Sequence, residues 1–394
     1  MKRRVLAALA VLGALAGCAD LFGFKQLGMA DGGGPDVVVP DASDAGDDGA
    51  ADAGDAADEP DAATCTPYVW PNPPPKGQGG SPGSYTLAMR YVHFTTDADG
   101  GTATFGYDID QACTTNKATA SCTASSVVVD GPGGVDNSSI TLLNGLINFQ
   151  QPAKDSLSDI ALDNDIDEGD FTMLIRLYGL KNAVDQTPTE GLTLALQSSP
   201  GIASGIPAWD GTDVWQVSAS DVVGGLDGGS NAPINSFTGA YVSNGTLVAT
   251  NPGPVTFIIT LPPGNTLTGV LQVRLSQVVL TAKLVQRDGG AQYDMTDGIL
   301  AGRWATTDAL ENIASLELSG GPLCQTLSGG VYDAVVKQLC PERDVASNGV
   351  DDGTSACDAL SVAMSFQAVA ADVANKPSPT PASSTPCFDA GQCN

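Results

Sequence analysis

Short runs in which apolar and polar residues alternate, separated by Gly, Pro, Asn and Asp, dominate the chain from residue 85 onward. Runs of period two read as half-buried strands, because successive side chains of a strand point to opposite faces. The first run, 85–96, is followed by 102–108 across Asp97-Ala98-Asp99-Gly100-Gly101, which predicts a hairpin. A short β-branched strand is expected at 125–129. Others are expected at 172–178, 192–197, 214–217, 240–242, 246–249, 255–261, 271–284 and 298–304. Ser243-Asn244-Gly245 contains the Asn-Gly pair that a tight hairpin turn prefers.

The period changes in three places. Asp136-Asn137-Ser138 can cap a helix whose Ile140, Leu143, Leu146 and Ile147 share one face. Thr307-Asp308 can cap another, carrying Leu310, Ile313, Ala314 and Leu316, and 331–340 reads as a third. The last two make a helical insertion at about 305–340. Leu360, Val362, Met364 and Phe366 then alternate with Ser361, Ala363, Ser365 and Gln367, so one strand returns afterwards. The expected fold is mainly β: a jelly-roll-like β-sandwich over 65–372, bearing disulfides and a few helical insertions, followed by a Pro/Ser/Thr-rich tail, 373–394, with two cysteines. A membrane-crossing barrel is not expected, since the strands lack a sustained outward apolar face and paired aromatic girdles.

Composition narrows the function classes. The formal charge is −28, and from Cys65 onward the chain holds 13 basic and 33 acidic residues. Nucleic acid is therefore excluded as a partner, because phosphate contacts need clustered Lys and Arg. Between Asp31 and Asp61 lie eleven acidic residues and no basic ones, set among Ala, Gly and Pro. Such a segment buries no core, so 19–64 reads as a disordered acidic linker. Its part from Gly28 to Thr64 would span roughly 35 Å as a flexible chain, and more under self-repulsion.

The chain opens with Lys2, Arg3 and Arg4, then an apolar run of 12 residues from Val5 to Ala16, then Leu15-Ala16-Gly17-Cys18. The run is too short to cross roughly 30 Å of hydrocarbon as a helix, so 1–18 reads as a signal peptide. These residues resemble the lipobox signals of bacterial lipoproteins. The resemblance implies cleavage before Cys18, lipid on that cysteine, and a membrane as partner through several acyl chains, which anchor stably where one does not. Ala19 follows, where inner-membrane lipoproteins of enteric bacteria carry Asp, so the resemblance implies the outer membrane, on its periplasmic or surface face. An Asp/Ala stalk before a Cys-containing, Gly/Asp-rich β domain is also similar in style to lipoproteins of large-genome predatory soil bacteria, a myxobacterial-like type. That likeness implies no activity.

Eight further cysteines, an even number in an exported chain, argue for disulfides. Cys113 and Cys122 flank a short polar loop and are expected to pair; the five late cysteines are expected to pair among themselves and with Cys65. Zinc is disfavoured, because there is one histidine and no Cys-x-x-Cys.

Catalytic patterns fail on inspection. Gly79-Gly80-Ser81-Pro82-Gly83 fits G-x-S-x-G, but the residue after the serine must donate an N–H to an oxyanion, and Pro82 has none. His93 lies inside a strand pattern and reads as structural. Five glutamates (Glu168, Glu190, Glu311, Glu317, Glu342) show no paired glycosidase spacing. Carboxylates remain, and calcium is the one cofactor they would suit. Asp163, Asp165 and Asp167 begin like a calcium loop, although Glu168 replaces the required glycine and Leu174 the closing glutamate. Asp108 and Asp110 can also meet Asp130, Asp136 and Asn137 across the turn Asp130-Gly131-Pro132-Gly133-Gly134. Trp209 and Trp215, with Asp210 and Asp213 around an Asp-Gly turn, form a candidate stacking platform for sugar rings. The expectation is thus a lipid-anchored envelope protein acting as a non-catalytic binding or surface module for a glycan or another envelope protein. A carboxylate-dependent, glycosidase-like hydrolase and a purely structural surface component are the alternatives.

Overall fold

The computed structural model describes residues 66–94, 105–124, 126–149, 151–227, 231–262, 265–318, 321–325, 329–380 and 393. The signal segment with Cys18, the acidic linker, Cys65 and Cys387 lie outside the described residues.

The elements are β1 (Gly83–His93), α1 (Ser138–Phe149), α2 (Gln151–Leu157), α3 (Asp159–Glu168), β2 (Thr172–Leu180), β3 (Leu192–Ser199), β4 (Val214–Trp215), β5 (Ser236–Ser243), β6 (Thr246–Asn251), β7 (Val255–Leu261), β8 (Leu267–Gln286), β9 (Tyr293–Ala305), α4 (Thr306–Ala314), β10 (Glu317–Leu318), β11 (Gly321–Pro322), α5 (Gly329–Leu339), β12 (Ala359–Ala370) and β13 (Asp372–Val373). Eight strands hydrogen-bond in the order β8-β6-β5-β3-β2-β1-β12-β9, every neighbouring pair antiparallel, and β9 pairs back onto β8. The sheet is therefore a closed eight-stranded barrel, which corrects the sandwich expected from alternation. A sandwich leaves edge strands on each sheet; here every strand of the ring has both edges occupied.

β8 makes the closure. Its 20 residues carry β7 and then β6 along one edge and β9 along the other. A strand that long must keep its apolar residues inward throughout, and it does so by changing phase. Leu271, Val273 and Leu275 point into the core, then Val278, Leu280 and Ala282 do. The switch from odd to even falls at Gln277, whose φ is +50°, where the register with β9 shifts between Ser276 and Val279. One extra residue in a bulge flips the faces that follow it, so the bulge rescues the pattern.

Side chains from all eight strands fill the interior, among them Leu87, Ile175, Leu194, Phe237, Leu247, Leu280, Leu300 and Met364. Exposed outward positions on β8 include Gln272, Arg274 and Lys283. This apolar-inside plan is the reverse of a barrel that crosses a membrane. No helix among the described residues is long and apolar enough to cross one.

Most sequence-derived strands are present, with β7 matching end to end. Asn244 and Gly245, at φ +49° and +80°, make the expected hairpin turn between β5 and β6. Two expectations are corrected. β1 does not pair with residues 105–108, because β2 and β12 occupy its two edges. Residues 126–129 form no strand. One cysteine pairing is also corrected, since Cys122 bonds Cys357 and not Cys113, while Cys340 bonds Cys393, a pair among the late cysteines as expected. Cys113 and Cys324 are disulfide-bonded as well. The reason lies in the loops: the Cys357 amide donates to the Thr123 carbonyl and the Thr123 amide to that of Ser355, a parallel bridge that sets Cys122 against Cys357.

Candidate functional site

Residues 66–71, 105–112 and 130–137 lie over the outer wall of β8, β9 and β12. Phe105 and Tyr107 pack on Val279, Ala301 and Ala363, with Trp70 against them. The Tyr107 hydroxyl meets Thr281 Oγ1 at 2.7 Å, and the Tyr68 ring stacks on Tyr107 at 5.5 Å. The Tyr68 amide donates to the Gly133 carbonyl, the Asp108 amide to that of Tyr68, and the Asp136 amide to that of Tyr107. These ladder-like bonds bring the three segments into register.

Asp108, Asp110 and Asp136 consequently converge. One carboxylate oxygen from each lies within 4.8 Å of the others, and the residues are 0%, 5% and 2% exposed. Asp136 Oδ2 accepts from the amides of Ile109 (2.8 Å) and Asp110 (3.2 Å), and Asp110 Oδ1 from that of Ala112 (2.9 Å). Asp136 Oδ1, Asp110 Oδ2 and both oxygens of Asp108 accept no hydrogen bond among the described residues. None of the three takes part in an ion pair among the described residues. The chain needs glycine beside them: a Cβ on Gly134, where φ is +72°, would sit 3.0 Å from Asp108 Oδ2 and from Cys113 Sγ.

Burial dominates the electrostatics. It pushes Asp108 up to about 7, reinforced by the charge of Asp110 and only partly offset by the nearby Gln111 and Ala112 amides, which lie outside hydrogen-bonding geometry. Burial likewise raises Asp136 well above the usual carboxylate range, with Asp110, Asp344 and Asp130 adding repulsion against the Ile109 amide. Asp130 rises to about 7 for the same first reason, although Oδ2 accepts from the Thr114 amide at 2.6 Å. Asp344 reaches about 6 through burial, held back by its bonds to Ser361 and Ser138.

Of the first calcium set, then, three acids meet and Asp130 borders them. Asn137 does not join: Nδ2 donates to the Phe105 carbonyl, and Oδ1 accepts from Ser139 Oγ and the Ala363 amide, so it ties the wall together. Asp344 was invisible to sequence reasoning. It arrives from more than 200 residues away through the bridge between Val345 and Ala359, and no local motif marks it.

The second set is dispersed, because 163–167 belongs to α3 and not to a loop. Asp163 Oδ2 meets His93 Nε2 at 2.8 Å, and Asp167 Oδ1 lies 3.6 Å from Arg90 Nε. Asp165, two residues from each along the helix, projects elsewhere and accepts from Asn265 at 3.4 Å. The histidine is thus held by a helical carboxylate in a partly buried pair.

The tryptophan loop is also built inward. Asp213 accepts from the amides of Ala208 and Trp209, at 2.9 and 2.7 Å, and Asp210 Oδ1 from the Thr212 amide and hydroxyl. Trp215 is wholly buried against Val217, Val222 and Leu174, so it offers no face to a sugar. Trp209, half-buried, tilts against Trp215 at 5.5 Å and carries the Arg90 guanidinium over its ring. The expected two-ring platform is corrected to one occupied ring.

Two small cavities lie among the described residues. One, of about 80 Å³, is lined by apolar side chains that include Leu142, Ile313, Val335, Leu271 and Val362, from α1, α4, α5, β8 and β12. It is far below the roughly 300 Å³ at which ligand pockets begin. The other, of about 60 Å³, is lined by Thr114, Lys117, Arg343 and Asp344 beside the acid group. No family model matches this chain, and no curated protein or solved structure matches it.

Proposed function

We propose that this chain is an envelope lipoprotein, cut before Cys18, acylated there, and carried on its acidic stalk at the outer membrane as a non-catalytic barrel module. The lipobox supplies the address, and disulfides among the described residues suit an oxidising compartment outside the cytosol. The observation that carries the non-catalytic part is how the reactive groups are used. The sole histidine is engaged by Asp163, Asp213 closes a loop, and the converging carboxylates are shut off from solvent. A partner in the envelope would find Val223, Leu226 and Ile234, each more than half exposed, on one segment tied together between Asp221 and Ile234.

Close, buried carboxylates are also what a hydrolase would use, and that reading draws its support from Asp108, Asp110 and Asp136. A glycosidase, however, needs a sugar between its two carboxyl groups, and acids 0–5% exposed leave no entry for one. Metabolic labelling with an alkyne-tagged palmitate tests the proposal. Label should appear on the wild type and vanish from Cys18→Ala, which should also leave the membrane fraction. An unlabelled wild-type protein recovered in the soluble fraction would overturn the anchor, and turnover of a glycoside by purified protein would overturn the non-catalytic reading.

A further inference from the structure

Four carboxylate oxygens in the wall-facing loops find no hydrogen-bond partner among the described residues: both of Asp108, Oδ2 of Asp110 and Oδ1 of Asp136. Asp108 is completely buried, and Asp136 nearly so. Burying an unpaired carboxylate is strongly unfavourable, and three together add mutual repulsion, so an arrangement that keeps them close requires compensation. One oxygen from each residue lies within 4.8 Å of the others, and one oxygen each of Asp110 and Asp136 is fixed by backbone amides. Such backbone bonds orient a carboxylate as the outer bonds of metal-binding carboxylates do.

We propose that Asp108, Asp110 and Asp136 bind one calcium ion. The donors are all hard oxygens; the sole histidine is engaged by Asp163, and Cys113, whose Sγ lies beside Gly134, is locked in a disulfide. Oxygens within 4.8 Å of one another can all lie about 2.3 to 2.6 Å from a single calcium ion. Magnesium would need a tighter octahedron and dehydrates reluctantly. Asp130 and Asp344, already hydrogen-bonded, deepen the negative potential around the ion without competing for it. Because the ligands come from both ends of the 105–137 excursion, the ion would clamp those two ends to each other.

The test uses full-length protein in detergent, stripped with chelator and titrated calorimetrically with calcium chloride alone and with magnesium chloride alone, alongside thermal melts. One calcium per chain should bind, at least tenfold more tightly than magnesium, and calcium should raise the melting temperature. Asp108→Asn and Asp136→Asn should each weaken calcium at least tenfold while keeping the wild-type circular dichroism, because each removes a buried charge. Asp210→Asn, on an exposed turn, should bind like the wild type. Absence of calcium heat and of any melting shift in the stripped wild type would overturn the proposal. So would magnesium binding as tightly as calcium, or unchanged calcium affinity in both folded Asn variants.

Discussion

Asp351→Ala should unfold this domain more readily than almost any other single change of a polar residue. Arg303 stands on β9, points out of the barrel, and is only 2% exposed, yet it carries a permanent charge. Its guanidinium is held as a fork: Nη1 donates to Asp351 Oδ1 (2.7 Å) and the Ala346 carbonyl (2.8 Å), Nη2 to Asp351 Oδ2 (2.6 Å) and the Ile109 carbonyl (2.8 Å). One side chain therefore ties β9 to the 346–351 loop and to the residue between Asp108 and Asp110. Removing one partner of a buried pair typically costs about 3 to 5 kcal/mol, because the surviving charge stays buried. Asp351 is 16% exposed and two carbonyl acceptors would remain, so water can reach the vacancy and the lower end, about 3 kcal/mol, is expected. With a urea slope of about 3 kcal/mol/M or more for a domain this large, the midpoint should drop by up to about 1 M. Equilibrium unfolding in urea with disulfides intact, followed by tryptophan fluorescence, measures it. Replacing both partners together, Arg303→Met with Asp351→Leu, should cost less than Asp351→Ala alone, since no charge is stranded. A loss below about 1 kcal/mol for Asp351→Ala would refute the reasoning, as it would mean the guanidinium is already solvated.

Three further expectations concern stability. Asp165 is raised to about 6, first by burial and then by Asp170 and Glu168, so its contribution is fully favourable below the unfolded value near 3.8 and is lost as pH climbs through 6. Asp165→Asn should thus match the wild type near pH 3.5 and gain about 1 to 2 kcal/mol at pH 8, discounted for solvent reaching the group; melts at both pH values decide, and an equal difference at both would refute it. Breaking the bond between Cys122 and Cys357, 235 residues apart, by Cys122→Ser with Cys357→Ser should cost at the upper end of the usual range, about 4 to 5 kcal/mol, in chemical denaturation. Gly134→Ala, forced to φ +72° with its methyl against Asp108 and Cys113, should cost more than the roughly 1 to 3 kcal/mol of backbone strain alone, whereas Gly289→Ala, also at positive φ but with open space around it, should cost only that strain.

Sequence alone marked out most local elements and suggested one convergence. Val255–Leu261, Leu192–Ser199 and Ala359–Ala370 are legible because alternation is a property of a few consecutive residues, and the Asn244-Gly245 turn because only certain residues adopt positive φ cheaply. Asp108, Asp110 and Asp136 could be grouped because fewer than thirty residues and a glycine-rich turn separate them. Tertiary structure alone decided the rest. A period of two says which face of a strand is apolar but not which strands become neighbours, so closure through both edges of Leu267–Gln286 and the bulge at Gln277 had no local signature. The same holds for Cys122 with Cys357, for Arg303 with Asp351, and for Asp344 beside the acids: each partner is chosen by where distant strands end on the barrel, a matter of long-range packing that neither spacing nor composition encodes. Asp163, Asp165 and Asp167 show the converse, since a motif written for a loop was folded into a helix and its carboxylates turned apart.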